Sequence, residues 1–327
     1  MRSPSRSRVS DSFTTAGERR MAISRRSFLS RSALGIAAPS FIARGVQAID
    51  PIARTRPSHL KLSIAAYSYR QFLQGEKKSM DVFDFAGLAA DMGLDAIEPT
   101  SYYFPADAPI DYFHKLQRHA FLLGLDISGT AIGNNFCLPP GPDRDKTLKL
   151  TRVWIDRAAA MQAPVIRIFA GNVPKGDSEE AAVERTIEGI KQSCEYAGTK
   201  GVVLALENHG GITAEADQLL KLVKAVDSPW FGVNLDTGNF RTADPYGDLE
   251  KLAPYAVNVQ VKTEIQRKGQ PKKEPADLAK LVDMLYRVRY SGYVVLEYEA
   301  PEDPMKAIPE HVKTLRRLID AGPVATT

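Results

Sequence analysis

Four short apolar runs in the second half of the chain each end in polar side chains of the kind that bind metal ions. The runs are LALENHGG (204–211), FGVNLDTGN (231–239), VNVQVKTE (257–264) and YVVLEYE (293–299). Their length and their Val, Leu and aromatic content predict strands rather than helices. Side chains alternate between the two faces of a strand. One face of each run therefore carries an oxygen donor near its C-terminal end: Glu207, Asp236, Gln260 and Glu297.

Three carboxylates gathered on buried strand ends repel one another, and each is costly to remove from water. A shared divalent cation removes both costs, and an all-oxygen donor set favours Mn²⁺ or Mg²⁺ over zinc. We therefore expect a metal site at these four residues. The alternatives are surface strand ends or structural ion pairs for the carboxylates, and a satisfied buried amide for Gln260.

Four further polar residues share the inward parity of the predicted strands: His209, Lys262, Arg167 and Glu98. We expect them to contact the substrate. The alternatives are a capping role for His209, a solvent-facing Lys262, and an ion pair between Arg167 and the carboxylates.

The elements that must position these residues alternate strand and helix eight times. The first four strands are predicted near Leu62, Asp95, Leu125 and Pro164. The predicted helices lie at 81–92, 110–123, 144–161, 179–199, 214–226, 246–255, 276–290 and 304–319. Ser178 and Thr213 are predicted to be N-caps.

Eight βα units over roughly 260 residues match a closed (β/α)8 TIM barrel, an α/β fold whose chemistry lies at the carboxyl ends of its strands. An open doubly wound sheet is the alternative, but no Gly-rich fingerprint follows the first strand. No linker interrupts residues 60–321, which predicts a single domain.

The formal net charge of +4 arises from the N-terminal segment. Residues 1–48 carry nine Arg, no Lys and two acidic residues, a local net charge of +7, which leaves the remainder at −3. The paired Arg25 and Arg26 precede a modest apolar stretch and a small-residue cleavage site at Ala48. This pattern resembles a twin-arginine signal peptide. We expect cleavage after Ala48 and a periplasmic or secreted protein; a membrane anchor or a disordered tail is the alternative.

The four polar strand ends resemble, in type and order, those of the xylose isomerase-like TIM-barrel superfamily, often called sugar phosphate isomerase/epimerase. The resemblance covers about 60–319. It implies a divalent metal held by Glu207, Asp236, Gln260 and Glu297, with Glu207 and Glu297 as the acid/base pair. In ketose epimerases the position of Gln260 is His, and a second His stands where this chain has Asn239, which we expect to bind substrate. The Gln version looks more like dehydratases and lyases of keto-cyclitols.

Such a site predicts a metal-dependent sugar isomerase or epimerase that acts on a ketose or keto-sugar through an enediolate. A dehydratase or lyase on a keto-sugar, 3-keto-glycoside or keto-cyclitol shares that intermediate and is the first alternative. A non-catalytic, exported sugar-binding barrel is the second. The expected partner is a small carbohydrate, with no nucleic acid, no membrane after signal cleavage, and self-association left open. The chain has few His, and the residues that follow position 48 carry a net negative charge. Both features argue against a DNA-repair nuclease.

Overall fold

A computed structural model describes residues 50–76 and 78–323, and the predicted signal peptide lies outside them. Nine parallel strands form one sheet in the order β3-β2-β1-β11-β8-β7-β6-β5-β4. The strands, in chain order, are β1 (Leu60–Ala65), β2 (Ala96–Glu98), β3 (Asp126–Ile127), β4 (Thr130–Ala131), β5 (Val165–Ile168), β6 (Val203–Glu207), β7 (Phe231–Asp236), β8 (Ala256–Val261), β9 (Glu264–Ile265), β10 (Glu274–Pro275) and β11 (Gly292–Leu296). The short β9 and β10 pair antiparallel as a separate hairpin.

The two edge strands of the sheet, β3 and β4, are halves of one strand interrupted at Ser128 and Gly129. β3 pairs with β2 and β4 pairs with β5, and a single bridge between Thr100 and Ala131 joins β4 to the chain after β2. A Cβ at position 129 would lie 2.8 Å from the Val165 side chain, so glycine permits this close approach. The sheet therefore forms a nearly closed barrel of eight strand positions, which confirms the predicted (β/α)8 architecture.

Helices surround the barrel and follow the predicted segments closely. They are α1 (Arg70–Leu73), α2 (Val82–Asp91), α3 (Ile110–Leu122), α4 (Pro142–Met161), α5 (Glu179–Lys200), α6 (Ala216–Val226), α7 (Pro245–Leu252), α8 (Leu278–Arg287) and α9 (Pro304–Ala321). Short α1 and the β9–β10 hairpin are additions in loops. Within the described residues, no helix combines the length and apolarity needed to cross a bilayer.

Local signals explain most helix boundaries. The Ser178 hydroxyl accepts the Ala181 N–H at the start of α5, as predicted, and Gly201 ends that helix in the left-handed region. The prediction for Thr213 is wrong, because Glu215 is the N-cap of α6. The Thr213 hydroxyl instead accepts the His209 N–H and donates to the Gly210 carbonyl, which fixes the loop after β6.

Candidate active site

The carboxyl ends of four neighbouring strands place the four predicted metal ligands in the barrel interior. Glu207 ends β6, Asp236 ends β7, Gln260 lies in β8, and Glu297 directly follows β11. All four are buried, and Asp236 lies opposite Gln260 in the β7–β8 register. Strand alternation thus places all four side chains on the inner face of the barrel, as the sequence predicted.

A side-chain clamp fixes the end of β7, where Asp236 lies. The Asn208 amide donates to the Asp236 carbonyl, and its oxygen accepts the Asp236 N–H, both at 2.9 Å. One carboxylate oxygen of Asp236 accepts the Gly238 N–H at 2.8 Å. Asp236 Oδ2 is left buried without a hydrogen bond, as is Glu297 Oε2.

Lys262 is the cation nearest to both of these oxygens. Its Nζ lies 3.2 Å from Asp236 Oδ2 and 3.5 Å from Glu297 Oε2. It also lies 2.9 Å from Glu299 Oε2 and 3.2 Å from Asn239 Oδ1. Burial lowers the pKa of Lys262, but the carboxylates of Asp236, Glu297 and Glu299 outweigh it and raise that pKa well above its ordinary value. Lys262 is therefore a buried, charged ammonium and does not face solvent.

Arg167 forms the second ion pair of the site. Its Nε lies 2.8 Å from Glu207 Oε2, and its Nη1 donates to the Ile132 carbonyl at 2.8 Å. The Nε–H is not aligned along the first contact, so this is an ionic contact rather than a well-formed hydrogen bond. Glu207 Oε1 accepts the Asn239 amide at 2.8 Å. Both oxygens of Glu207 are therefore engaged.

Beneath the carboxylates, four buried side chains form a closed ring of hydrogen bonds. The Asn258 and Gln260 amides donate to the two Glu98 oxygens at 2.7 and 2.6 Å. The Asn258 amide also donates to Asn234 Oδ1, and the Asn234 amide donates to Gln260 Oε1. Glu98 thus lies under the site and orients Gln260. Gln260 is accordingly a satisfied buried amide, which retains only its second oxygen lone pair for a metal ion.

Burial moves the pKa values of these carboxyl groups up toward neutral pH. Removal from water raises the pKa of Glu98 to about 7 and that of Asp236 to about 6, against the opposing hydrogen bonds and the Lys262 charge. Burial likewise raises the pKa of Glu207 and of Glu297, while Arg167 and Lys262 respectively oppose the rise. Carboxyl groups of this kind change protonation near physiological pH.

His209 lies at the edge of this cluster. Its ring centroid is 4.4 Å from that of Phe169, and the Arg167 guanidinium covers Phe169 at 3.9 Å. Burial, followed by the positive charges of Arg167 and Lys262, lowers the pKa of His209. A neutral imidazole is therefore available at the cavity wall.

Two cavities flank the carboxylates at the same end of the barrel. One, of about 730 Å³, has His209, Asn239, Arg241 and Lys268 among its lining residues. The other, of about 580 Å³, is lined by Glu299 and residues of the neighbouring loops. Neither cavity is lined by Glu207, Asp236 or Glu297. The Lys262 ammonium contacts one lining residue of each cavity, Asn239 and Glu299.

The negative charge of these carboxylates suits a hard divalent cation. In this structure, however, the carboxylates of Asp236, Glu297 and Glu299 surround the Lys262 ammonium. Two buried carboxylate oxygens lack hydrogen bonds, and two cations, Arg167 and Lys262, face the carboxyls of Glu98, Glu207, Asp236, Glu297 and Glu299. However, no three His, Cys, Asp or Glu groups converge in a metal-binding arrangement among the described residues.

Several residues of the site were not singled out from the sequence. Glu299 has the parity of Glu297, and Asn258 has that of Gln260, so strand alternation alone could have indicated both. Asn208 could not be found in this way, because it points to the opposite face and acts on the neighbouring strand.

Comparison with known proteins agrees with this fold. The model of the xylose isomerase-like TIM barrel family matches residues 86–318. No curated protein sequence matches the chain. Among solved structures, D-psicose 3-epimerase from Clostridium cellulolyticum H10 is similar at 17% identity and a TM-score of 0.61, covering 80% of this chain and 94% of that one.

Two further structures are similar over an equal share of this chain. The 3-keto-D-glucoside 4-epimerase of E. coli is 14% identical with a TM-score of 0.63, covering 80% of this chain and 99% of that one. The probable 3-DHS dehydratase of Bacillus anthracis is 16% identical with a TM-score of 0.58, covering 80% and 98%. At these identities the likeness establishes the fold.

Proposed function

Because the chain belongs to the xylose isomerase-like TIM-barrel family, we propose that it is a metal-dependent isomerase or epimerase of a ketose or keto-sugar. The observation that carries this proposal is the pair Glu207 and Glu297. Both are buried at the carboxyl ends of barrel strands, burial raises the pKa of each, and β7 and β8 separate their strands in the wall. Epimerases and a dehydratase among the structural neighbours are consistent with this chemistry.

We assign to the two glutamates the roles of proton acceptor and proton donor toward a sugar bound at this end of the barrel. One carboxylate takes the proton from the carbon next to the sugar carbonyl, and the electron pair left behind forms an enediolate. A proton returned to the same carbon from the other face gives the epimer. A proton returned to the neighbouring carbon gives the isomer, once the hydroxyl proton has moved to the former carbonyl oxygen. A raised pKa suits both steps, because such a carboxyl gains and loses a proton near neutral pH.

Mn²⁺ or Mg²⁺ is the cofactor we propose, and Asp236 and Glu297 would hold it through their free oxygens. Gln260 would add the second lone pair of its amide oxygen. Glu207 would complete the set by exchanging a contact with Arg167 or Asn239 for the ion. When bound, the ion supplies positive charge to the oxygens of the enediolate. Asn239 links Glu207 to Lys262 and fixes the orientation of the glutamate. His209 and Asn239 line the larger of the two cavities, and we assign to them the orientation of the sugar.

The location we propose is outside the cytoplasm, after twin-arginine export. The support is the sequence of residues 1–48, with Arg25 and Arg26 before the apolar stretch. Replacement of both arginines by lysine should retain the precursor in the cytoplasm, and mass spectrometry of the exported protein should begin at Ile49.

The test is proton NMR of the purified protein with Mn²⁺ in D₂O, using D-psicose, D-tagatose, D-fructose and 3-keto-glucosides. Deuterium incorporation into recovered or epimeric sugar, lost in Glu207→Gln and in Glu297→Gln, is the expected result. Glu310→Gln is the matched control, since Glu310 is 71% exposed on α9.

Two other outcomes contradict the proposal. A new unsaturated product with release of a leaving group identifies a lyase. Bound metal without exchange into any sugar favours a binding protein.

A further inference from the structure

Lys262 lies where two buried carboxylates present oxygens that accept no hydrogen bond. Its Nζ is the cation nearest to Asp236 Oδ2 and Glu297 Oε2, at 3.2 and 3.5 Å. The Lys262 side chain is 8% exposed, while the side chain of Glu299, which it also contacts, is 25% exposed and lines the smaller cavity. Lys262 therefore contacts two inner carboxylates, those of Asp236 and Glu297, and one outer carboxylate, that of Glu299.

A divalent ion cannot share the inner position with this ammonium. A hard cation binds carboxylate oxygens at about 2.0–2.6 Å. An ion that binds both free oxygens occupies the region from which Nζ now contacts them. Two positive charges at such separation repel strongly in a buried site. Either the ammonium or the metal ion holds Asp236 and Glu297 at one time.

The contacts of Lys262 indicate the direction in which its ammonium would move. The Lys262 N–H donates to the Thr237 hydroxyl at 2.9 Å, which holds the backbone. A Cβ at Gly238 would lie 2.8–2.9 Å from the Lys262 side chain, so the stem passes closely over this glycine. Beyond the stem, Nζ lies between Asn239 and Glu299, each of which lines one cavity. Nζ can move outward while its contact with Glu299 is kept.

We propose that Lys262 is the resident cation of the metal-free site, and that metal binding displaces its ammonium outward to Glu299. This inference rests on the metal binding proposed above. In the metal-free protein the ammonium neutralises Asp236 and Glu297 and keeps the site folded. In the metal-bound protein it is directed at the space where a sugar enters.

The first test is calorimetric titration of Mn²⁺ into the purified wild-type protein, Lys262→Met and Lys273→Met. Lys273 is the matched control, because it is a 39% exposed lysine that lines the smaller cavity, 3.7 Å from Glu264. We expect Lys262→Met to bind Mn²⁺ at least about tenfold more tightly than wild type, since no ammonium then competes with the ion for Asp236 and Glu297. Lys273→Met should bind as wild type does.

The second test needs no variant and covers the case in which metal-free Lys262→Met fails to fold. Reductive methylation of the wild-type protein, read by mass spectrometry, reports the accessibility of each lysine. Lys262 should be modified slowly without Mn²⁺ and several-fold faster with it, while Lys273 is unaffected.

The outcomes separate this inference from the metal dependence itself. Mn²⁺ binding of equal or lower affinity in Lys262→Met, with unchanged labelling in wild type, overturns the displacement and leaves metal dependence intact. Binding in Lys262→Met alone supports the displacement and contradicts metal dependence of the natural protein. Binding in neither protein overturns both.

Discussion

Replacement of Arg167 by Met tests whether the site depends on internal charge compensation. Arg167 and Glu207 are 6% and 4% exposed and lie 2.8 Å apart. Met fills much of the same volume without the charge, so Glu207 is left buried opposite an apolar side chain. Breaking a buried pair from one side costs about 3–5 kcal/mol. For a domain of this size, that loss corresponds to a fall in Tm of about 10 °C.

The effect must depend on pH, because it comes from the charge on Glu207. Burial raises the pKa of Glu207, and Arg167 is the main group that opposes the rise. Without Arg167 the folded state holds the Glu207 proton to still higher pH. The unfolding free energy of Arg167→Met should therefore fall more steeply than that of wild type as pH rises from about 5 to about 8.

Urea unfolding at both pH values, with EDTA present, measures this effect. The double variant Arg167→Met/Glu207→Gln should recover much of the loss at the higher pH. Lys313→Met, which breaks the exposed pair with Glu310, is the control and should change stability by less than about 0.5 kcal/mol. A loss in Arg167→Met that is equal at both pH values, or no loss, would refute the reasoning.

Three further predictions concern the same end of the barrel. Asn239→Ala removes the hydrogen bonds to Glu207 and Lys262, and should lower turnover about tenfold with a stability change of about 1 kcal/mol, measured by deuterium exchange and urea unfolding. Burial raises the pKa of Glu98 to about 7 and that of Asp236 to about 6, so above the ordinary pKa values the folded state binds more protons than the unfolded state. The unfolding free energy of the metal-free protein should therefore fall as the pH rises through about 5 to 7. A flat pH profile would contradict this. Gly171 has a φ of +99°, and a Cβ there would lie 2.7 Å from Asn135 Cα. Gly171→Ala should therefore lower the unfolding free energy by about 3 kcal/mol. Gly176→Ala, at φ +84° with open space around it, should cost about 1 kcal/mol.

The fold could be predicted because its signals are local. Eight βα alternations specify a closed barrel, and strand parity placed Glu98, Arg167 and Glu207 inside it. The same parity brought Lys262 to the carboxylates. Periodicity reports which face a side chain occupies, and that was enough to collect the cluster.

The pairing of charges within the cluster could not be predicted. Whether Lys262 contacts solvent, substrate or Asp236 depends on the length of its stem and on the gap left by Gly238, which are properties of packed loops. Gln260 was predicted to be a metal ligand, yet its amide is held by Glu98 and Asn234, which are distant in the chain. The sequence identifies donors and acceptors but does not determine which of them meet.

The interruption at Ser128 and Gly129 has a consequence for how the barrel opens. Only short ladders join β3 and β4 to their neighbours, so separation there breaks few backbone hydrogen bonds, among them Ser128 N–H to Ile97 and Ile132 N–H to Arg167. Amide hydrogen exchange should therefore be faster at this seam than in β6, β7 and β8. Gly129 lies next to Glu98: a Cβ built on this glycine would be 3.3 Å from Glu98 Oε2. Local opening of the seam should therefore admit water to Glu98 while β6, β7 and β8 stay paired.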